Sequence, residues 1–169
     1  VPLPIVLQDT PATPIPAASI RAIADICEHA TYAKVESVPA AVQVAKAVRE
    51  AGDVVEVFGG AGGGQFLPEL KRGSIGTMPF PTSVAAFVEM WNRWQAGDGA
   101  GARSVFEAQI APLLDIQVGG LGGYHQVHKE ALRRQGVIRT AFVRPPIEPL
   151  DPMTREDLEA VLDQMGWSV

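Results

Sequence analysis

Over its first 95 or so residues the chain alternates short β-type runs with helical stretches four times in succession. That alternation limits the fold more than any other feature. Ile5-Val6-Leu7 reads as a buried strand ending in the turn-forming Gln8-Asp9-Thr10-Pro11. Residues 17–29 then carry Ile20, Ile23, Ala24 and Cys27 at the spacing of one helix face. Residues 32–35 give a second strand, and 39–51 a second helix closed by Gly52. Val54-Val55-Glu56-Val57-Phe58 is the clearest strand. The glycine-rich turn Gly59-Gly60-Ala61-Gly62-Gly63-Gly64 leads from it into a helix over 65–72, closed by Gly73. Ile75-Gly76-Thr77-Met78 predicts a fourth short strand, and 82–95 a fourth helix. Strands and helices alternating at this spacing specify parallel βα units. Eight such units would need about 190 residues, close to a (β/α)8 barrel. Four parallel strands cannot close a barrel, so the fold class is α/β, with residues 1–96 reading as half of a (β/α)8 TIM barrel. A helical region over 97–169 follows, with helices at 102–114, 124–135 and 154–165. Gly119-Gly120-Leu121-Gly122-Gly123 is read as a joint between helices. Arg144-Pro145-Pro146-Ile147-Glu148-Pro149 is read as an extended linker, because a residue before proline avoids helix.

Composition narrows the function. A net charge of -5 argues against nucleic acid, whose phosphates need a basic face. The single Cys27 allows no internal disulfide and fits a reducing, cytoplasmic compartment. No apolar run reaches the roughly 20 residues of a membrane helix, and the start lacks a signal-peptide pattern.

Lys34 lies inside the second strand, which stops at a helix-start signal with Ser37 as cap and Pro39 near the first turn. In barrel enzymes the carboxyl end of a strand carries the chemistry. An amine held there and partly desolvated can lose its proton near neutral pH and attack a carbonyl to form a Schiff base. Taken alone, a strand-end lysine is more often a solvated charge. Glu36 shares Lys34's side of the strand by period-two alternation. It either tunes the amine or contacts substrate, or is a helix-start carboxylate with no catalytic role. The glycine run breaks the G-x-G-x-x-G spacing and lacks the Gly-Lys-Ser/Thr of a phosphate loop. It reads as backbone that comes close to substrate, with amides open to a carboxylate or hydroxyl. His125 and His128 lie three apart on a helix, but no third metal ligand of suitable spacing follows, so they read as a solvated surface. Trp91 and Trp94 read as core or subunit contact.

In order and content these pieces resemble the second half of the dihydrodipicolinate synthase/N-acetylneuraminate lyase family of class I aldolases. Pro4-Ile5-Val6-Leu7-Gln8-Asp9-Thr10-Pro11 is similar to the family's strand five, and Ala33-Lys34-Val35-Glu36-Ser37 to strand six, where its Schiff-base lysine lies. Val57-Phe58-Gly59-Gly60 resembles strand seven and Gly73-Ser74-Ile75-Gly76-Thr77-Met78 strand eight. Ala96-Gly97-Asp98 with Ala102-Arg103 resembles the entry to the C-terminal helical region. The resemblance implies a Schiff-base lyase, an aldolase or dehydratase with Lys34 as nucleophile. Gln8, Asp9, Glu36, Gly59, Gly60, Thr77 and Met78 are then the substrate-binding candidates. It implies a small 2-keto acid as ligand, no metal or organic cofactor, a homo-oligomer, and a missing N-terminal half. That half would supply the family's strand-two threonines and strand-four tyrosine.

Departures from the family pattern bear on the substrate. Ala12-Thr13 follow Pro11 where dihydrodipicolinate synthases carry a carboxylate-binding arginine, and a glycine run replaces glycine-aspartate-aspartate after strand seven. The expected substrates are therefore pyruvate or 2-keto-3-deoxy sugar acids. Dihydrodipicolinate synthase proper, and a non-catalytic keto-acid-binding or partner-binding fragment, stay open as alternatives.

Overall fold

Small and β-branched side chains at every second strand position decide which face of the sheet meets the helices. In a computed structural model, which describes residues 2–116, 118 and 122–167, β1 (Val6–Asp9), β2 (Tyr32–Val35) and β3 (Glu56–Phe58) form one sheet in that order. Both pairings are parallel, and the register sets Gln8 opposite Lys34 and Lys34 opposite Phe58. After the strands come α1 (Ala17–Ile26), α2 (Ala40–Ala51) and the short α3 (Phe66–Leu70). Ile20, Ala33, Val35, Val44, Ala47, Val55 and Val57 make one core, with Leu7 packed against it. Full burial of a valine such as Val44 or Val57 is worth about 1.5–3 kcal/mol. A slip of one residue would turn Lys34 into that core and Val35 out of it, so the pattern fixes the register. The other face carries Val6, Gln8, Tyr32, Lys34, Glu56 and Phe58 by the same alternation, and none of these is fully buried.

Two expectations about this region change. The fourth strand expected over 75–78 shrinks to a single parallel bridge between Gly59 and Thr77. Backbone bonds continue the ladder on either side of it: Ile75 N to Val57 O at 2.9 Å, Gly59 N to Gly76 O at 3.0 Å, and Met78 N to Gly59 O at 3.1 Å. Gly73, in the left-handed region at φ +91, and Pro79, which has no amide to donate, confine regular pairing to the middle of the segment. Ser37 does not cap the second helix. Pro39 holds the N-cap position of α2 without a side-chain cap, and the Ser37 hydroxyl donates instead to Asp9 Oδ1 at 2.5 Å.

The chain divides into two compact units, Val1–Pro79 and Phe80–Val169. The sequence pattern predicts the boundary at 96/97. The difference concerns α4 (Val84–Gln95), which follows a 3-10 turn and packs along α5 (Gly99–Gln109) in the second unit. Asp98 caps α5 by accepting from Gly101 N at 2.8 Å. Farther on, α6 (Ala111–Leu114), α7 (Gly123–Arg134) and α8 (Pro152–Gln164) contribute to a core of Leu113, Ile116, Val127, Ala131, Leu158 and Leu162. Of the glycine-rich joint, Gly119, Gly120 and Leu121 lie outside the described residues.

The solvated reading of the histidine pair fails for His128. It is 5% exposed, stacks on Phe80 with ring centroids 3.8 Å apart, and has Nδ1 2.9 Å from Thr82 Oγ1. It shares a buried helix stripe with Val127 and Ala131, which places the ring in the interior. Burial, helped by the charge of His125, pushes its pKa down to about 4. Among the described residues no cluster of three His, Cys, Asp or Glu could hold a metal ion, and no helix is long and apolar enough to cross a membrane.

Candidate active site

Alternation along β2 places Lys34 on the face away from the helices, two residues before a glutamate on the same side. The structure joins them. Lys34 Nζ lies 3.0 Å from Glu36 Oε2, with side chains 18% and 15% exposed. Gln8 Nε2, across the β1–β2 register, donates to the same Oε2 at 3.0 Å, and the Ala61 amide donates to Oε1 at 2.6 Å. Burial works to raise the Glu36 pKa. The Ala61 amide, Lys34 and Gln8 outweigh it, and the carboxyl is held below the usual carboxylate range. An acid so held is a weak proton acceptor. Its effect on Lys34 is to orient the amine and balance its charge.

Phe58 stands opposite Lys34 in register, its ring 6.1 Å from that of Tyr32. Gly76 makes room for Phe58, since a Cβ there would stand 3.0 Å from Phe58 Cε1. An apolar wall therefore lies on one side of the amine and the polar Gln8–Glu36 pair on the other.

The glycine run does a different job from the one expected. A Cβ on Gly60 would overlap Glu36 Oε1, and a Cβ on Gly59 would overlap Glu69 Oε2. These two positions admit carboxyl groups. Several of the amides expected to be open are in use: Gly59 N donates to Gly76 O, Ala61 N to Glu36, and Gly63 N to Gly60 O. Farther along the turn, φ values of +68 at Gly62 and +81 at Gly63 account for glycine there.

The candidates sort accordingly. Gln8, Lys34, Glu36, Gly60 and Ala61 are brought together, and Gly59 links them to Thr77 and Met78 through the bridge and the Met78 amide. Asp9 is not part of the group. It neighbours Gln8 in sequence, points to the opposite face, and is 3% exposed. Its Oδ1 accepts from Ile15 N at 2.8 Å and from the Ser37 hydroxyl, and its Oδ2 accepts from Ser37 N at 3.0 Å. A carboxylate so engaged braces the ends of β1 and β2.

One residue escaped the sequence reading. Glu69 on α3 is 0% exposed, and neither of its carboxyl oxygens has a hydrogen-bond partner among the described residues. The signal was present: Phe66, Glu69 and Leu70 fall at the i, i+3, i+4 spacing of a buried stripe, with an acid where an apolar residue belongs.

A parallel sheet covered by helices on one face, with a lysine–glutamate pair on the other at the strand ends, is an α/β arrangement of the βα-barrel kind. The chain belongs to the dihydrodipicolinate synthetase family, whose model matches residues 3–165. It is 29% identical over 165 residues to L-2-keto-3-deoxyarabonate dehydratase of Azospirillum brasilense, covering 94% of this chain and 52% of that one. Its α/β fold is that of dihydrodipicolinate synthase from Rhodopseudomonas palustris, with a TM-score of 0.82 at 24% identity over 95% of this chain and 55% of that one. A prophage protein of the dihydrodipicolinic acid synthase family from E. coli K12, solved in complex with pyruvate, gives 0.82 at 21% identity over 99% and 58%. The chain thus spans about half the length of the relatives it matches.

Proposed function

We propose that Lys34 is the nucleophile of a Schiff-base lyase acting on a 2-keto acid. The observation that supports this most is its placement on the open face at the end of β2, ion-paired to Glu36 at 3.0 Å and opposite Gln8 and Phe58. The uncharged amine attacks the keto carbon, and the carbinolamine takes up a proton and loses water to give a protonated imine. The imine draws electrons from C3. In a dehydratase a C3 proton leaves and the enamine expels the C4 hydroxyl as water. In an aldolase the C4 hydroxyl proton leaves and the C3–C4 bond breaks, giving an aldehyde and the enamine of pyruvate. The enamine of pyruvate takes a proton at C3 to become the imine again, and hydrolysis of the imine returns Lys34. Glu36 keeps the amine aimed, and Gly59, Gly60, Thr77 and Met78 shape the backbone beside it.

The proposed substrate is a polyhydroxylated 2-keto-3-deoxy acid. Gln8 offers an amide suited to hydroxyl groups, and Ala12-Thr13 provide no arginine for a second carboxylate. The likeness to a 2-keto-3-deoxyarabonate dehydratase favours the same class. Loss of one charge-assisted pair costs roughly 1.5–3 kcal/mol, or about ten- to a hundredfold against aspartate semialdehyde. Because the chain spans about half of its relatives' length, this activity is proposed for a complete barrel, homo-oligomeric, in which further strands supply the remaining substrate-holding groups.

The test is borohydride reduction of the whole protein in the presence of pyruvate. The expected result is a mass increment on the peptide containing Lys34, absent in Lys34→Arg. An active protein left unlabelled at Lys34 would refute the mechanism. A kcat/KM that favours aspartate semialdehyde over polyhydroxylated keto acids would reverse the substrate assignment and leave the imine standing.

A further inference from the structure

We infer that Glu69 is a positioning residue for the Lys34–Glu36 pair, acting on Glu36 across the Gly59-Gly60 backbone. The inference rests on the Schiff-base reading of Lys34. A buried carboxyl with both oxygens unpartnered is rare in folded proteins and calls for an explanation. This one needs glycine at 59 to exist, as Glu36 needs glycine at 60. Successive residues of an extended segment present opposite faces. A single peptide unit is therefore approached by one carboxyl at each of its α-carbons, and only two consecutive glycines permit that. A structural acid would have been given a partner. Here the backbone has been pared down to bring Glu69 close to Glu36.

The charged groups around Glu69 single out Glu36. On α2, which packs on α3, Arg49 pairs with Glu50 at the surface and Lys46 completes the set. On β3, Glu56 is exposed, as are Lys71 and Arg72 beyond α3, and Arg72 donates to Pro68 O. The bridge segment brings the Thr77 hydroxyl, which is neutral, buried and itself without a partner among the described residues. Burial first, and then the charge of Glu36, push the Glu69 carboxyl up to about 7. In its neutral form Glu69 leaves Glu36 seated on Lys34, Gln8 and Ala61. Once ionised it sets a second negative charge behind the Gly59-Gly60 peptide, and repulsion displaces Glu36 from the amine.

Two measurements on the whole protein test this, in wild type and Glu69→Gln, with Glu69→Leu as a second uncharged variant should the first not fold. The carboxyl 13C resonance of Glu36, read without substrate, is expected to shift as the pH passes about 7 in wild type and to stay flat in the variants. The rate of borohydride trapping of pyruvate at Lys34 is expected to fall in wild type relative to the variants between about pH 6 and about pH 8.5, across the Glu69 titration at about 7. Normal trapping with a Glu36 resonance that ignores pH 7 would overturn the inference alone. Absence of trapping at Lys34 at every pH would overturn the Schiff-base reading, and the positioning role with it.

Discussion

Replacing Asp9 with asparagine preserves the shape of a buried side chain and removes one acceptor from it, which separates a structural brace from a substrate contact. In the native arrangement Oδ1 takes two donors, the Ile15 amide and the Ser37 hydroxyl, and Oδ2 takes the Ser37 amide. The asparagine oxygen can keep the first two. Its NH2 group then meets the Ser37 N–H, so two donors face each other at a site only 3% exposed. One buried unsatisfied donor costs about 1–3 kcal/mol, and flipping the amide strands two donors in place of one. The expected loss is therefore about 2 kcal/mol, a fall in Tm of roughly 4–8 °C for a chain of this size. Asp9→Ala abandons all three donors and should cost about 3–5 kcal/mol. Calorimetry or far-UV circular dichroism, each of which reads the whole chain, is the assay. Turnover per folded molecule should stay near wild type. A stable Asp9→Asn protein with a large loss of kcat/KM on polyhydroxylated keto acids would refute the brace and restore Asp9 as a substrate ligand.

Two further outcomes follow from buried titrating groups. Glu69 has a folded pKa of about 7, above that of an unfolded glutamate. Its site is fully tolerated below about pH 4.5, and stability is lost as pH rises to about 7, on the order of 3 kcal/mol in all. Denaturant unfolding at about pH 5 and about pH 8 should show that fall in wild type and not in Glu69→Gln, and equal stabilities would contradict it. His128 has the opposite sign. Its folded pKa of about 4 lies below the unfolded value of about 6.5, so stability is full above about pH 6.5 and is lost as pH falls toward 4. His128→Phe, which can keep the stack on Phe80, should flatten that acid limb in pH-dependent unfolding at the cost of the Thr82 hydrogen bond, about 1 kcal/mol.

The sequence by itself determined those features that depend on a period. Strand β2 and helix α2 fall where alternation and the 3.6-residue repeat put them, and the sheet is parallel because helices separate its strands. The pairing of Lys34 with Glu36 was also legible, because residues two apart on a strand share a face. The same rule, applied one residue at a time, would have placed Gln8 and Asp9 on opposite faces. What decided between them was the buried pocket of donors that only the folded turns create. Tertiary structure alone settled what occupies a shared space. Ser37 was a helix cap by local chemistry, but Asp9, 28 residues earlier, is a stronger partner for its hydroxyl. Segment 75–78 had the composition of a strand, and its neighbours in space left it one bridge. Gly59 and Gly60 advertised missing side chains without saying what fills the room, and the answer, Glu69 and Glu36, comes from α3 and from the end of β2. Local periodicity is written in consecutive residues. Which group ends up against which is a property of contacts between distant parts of the chain, and those exist only once the backbone has closed around them.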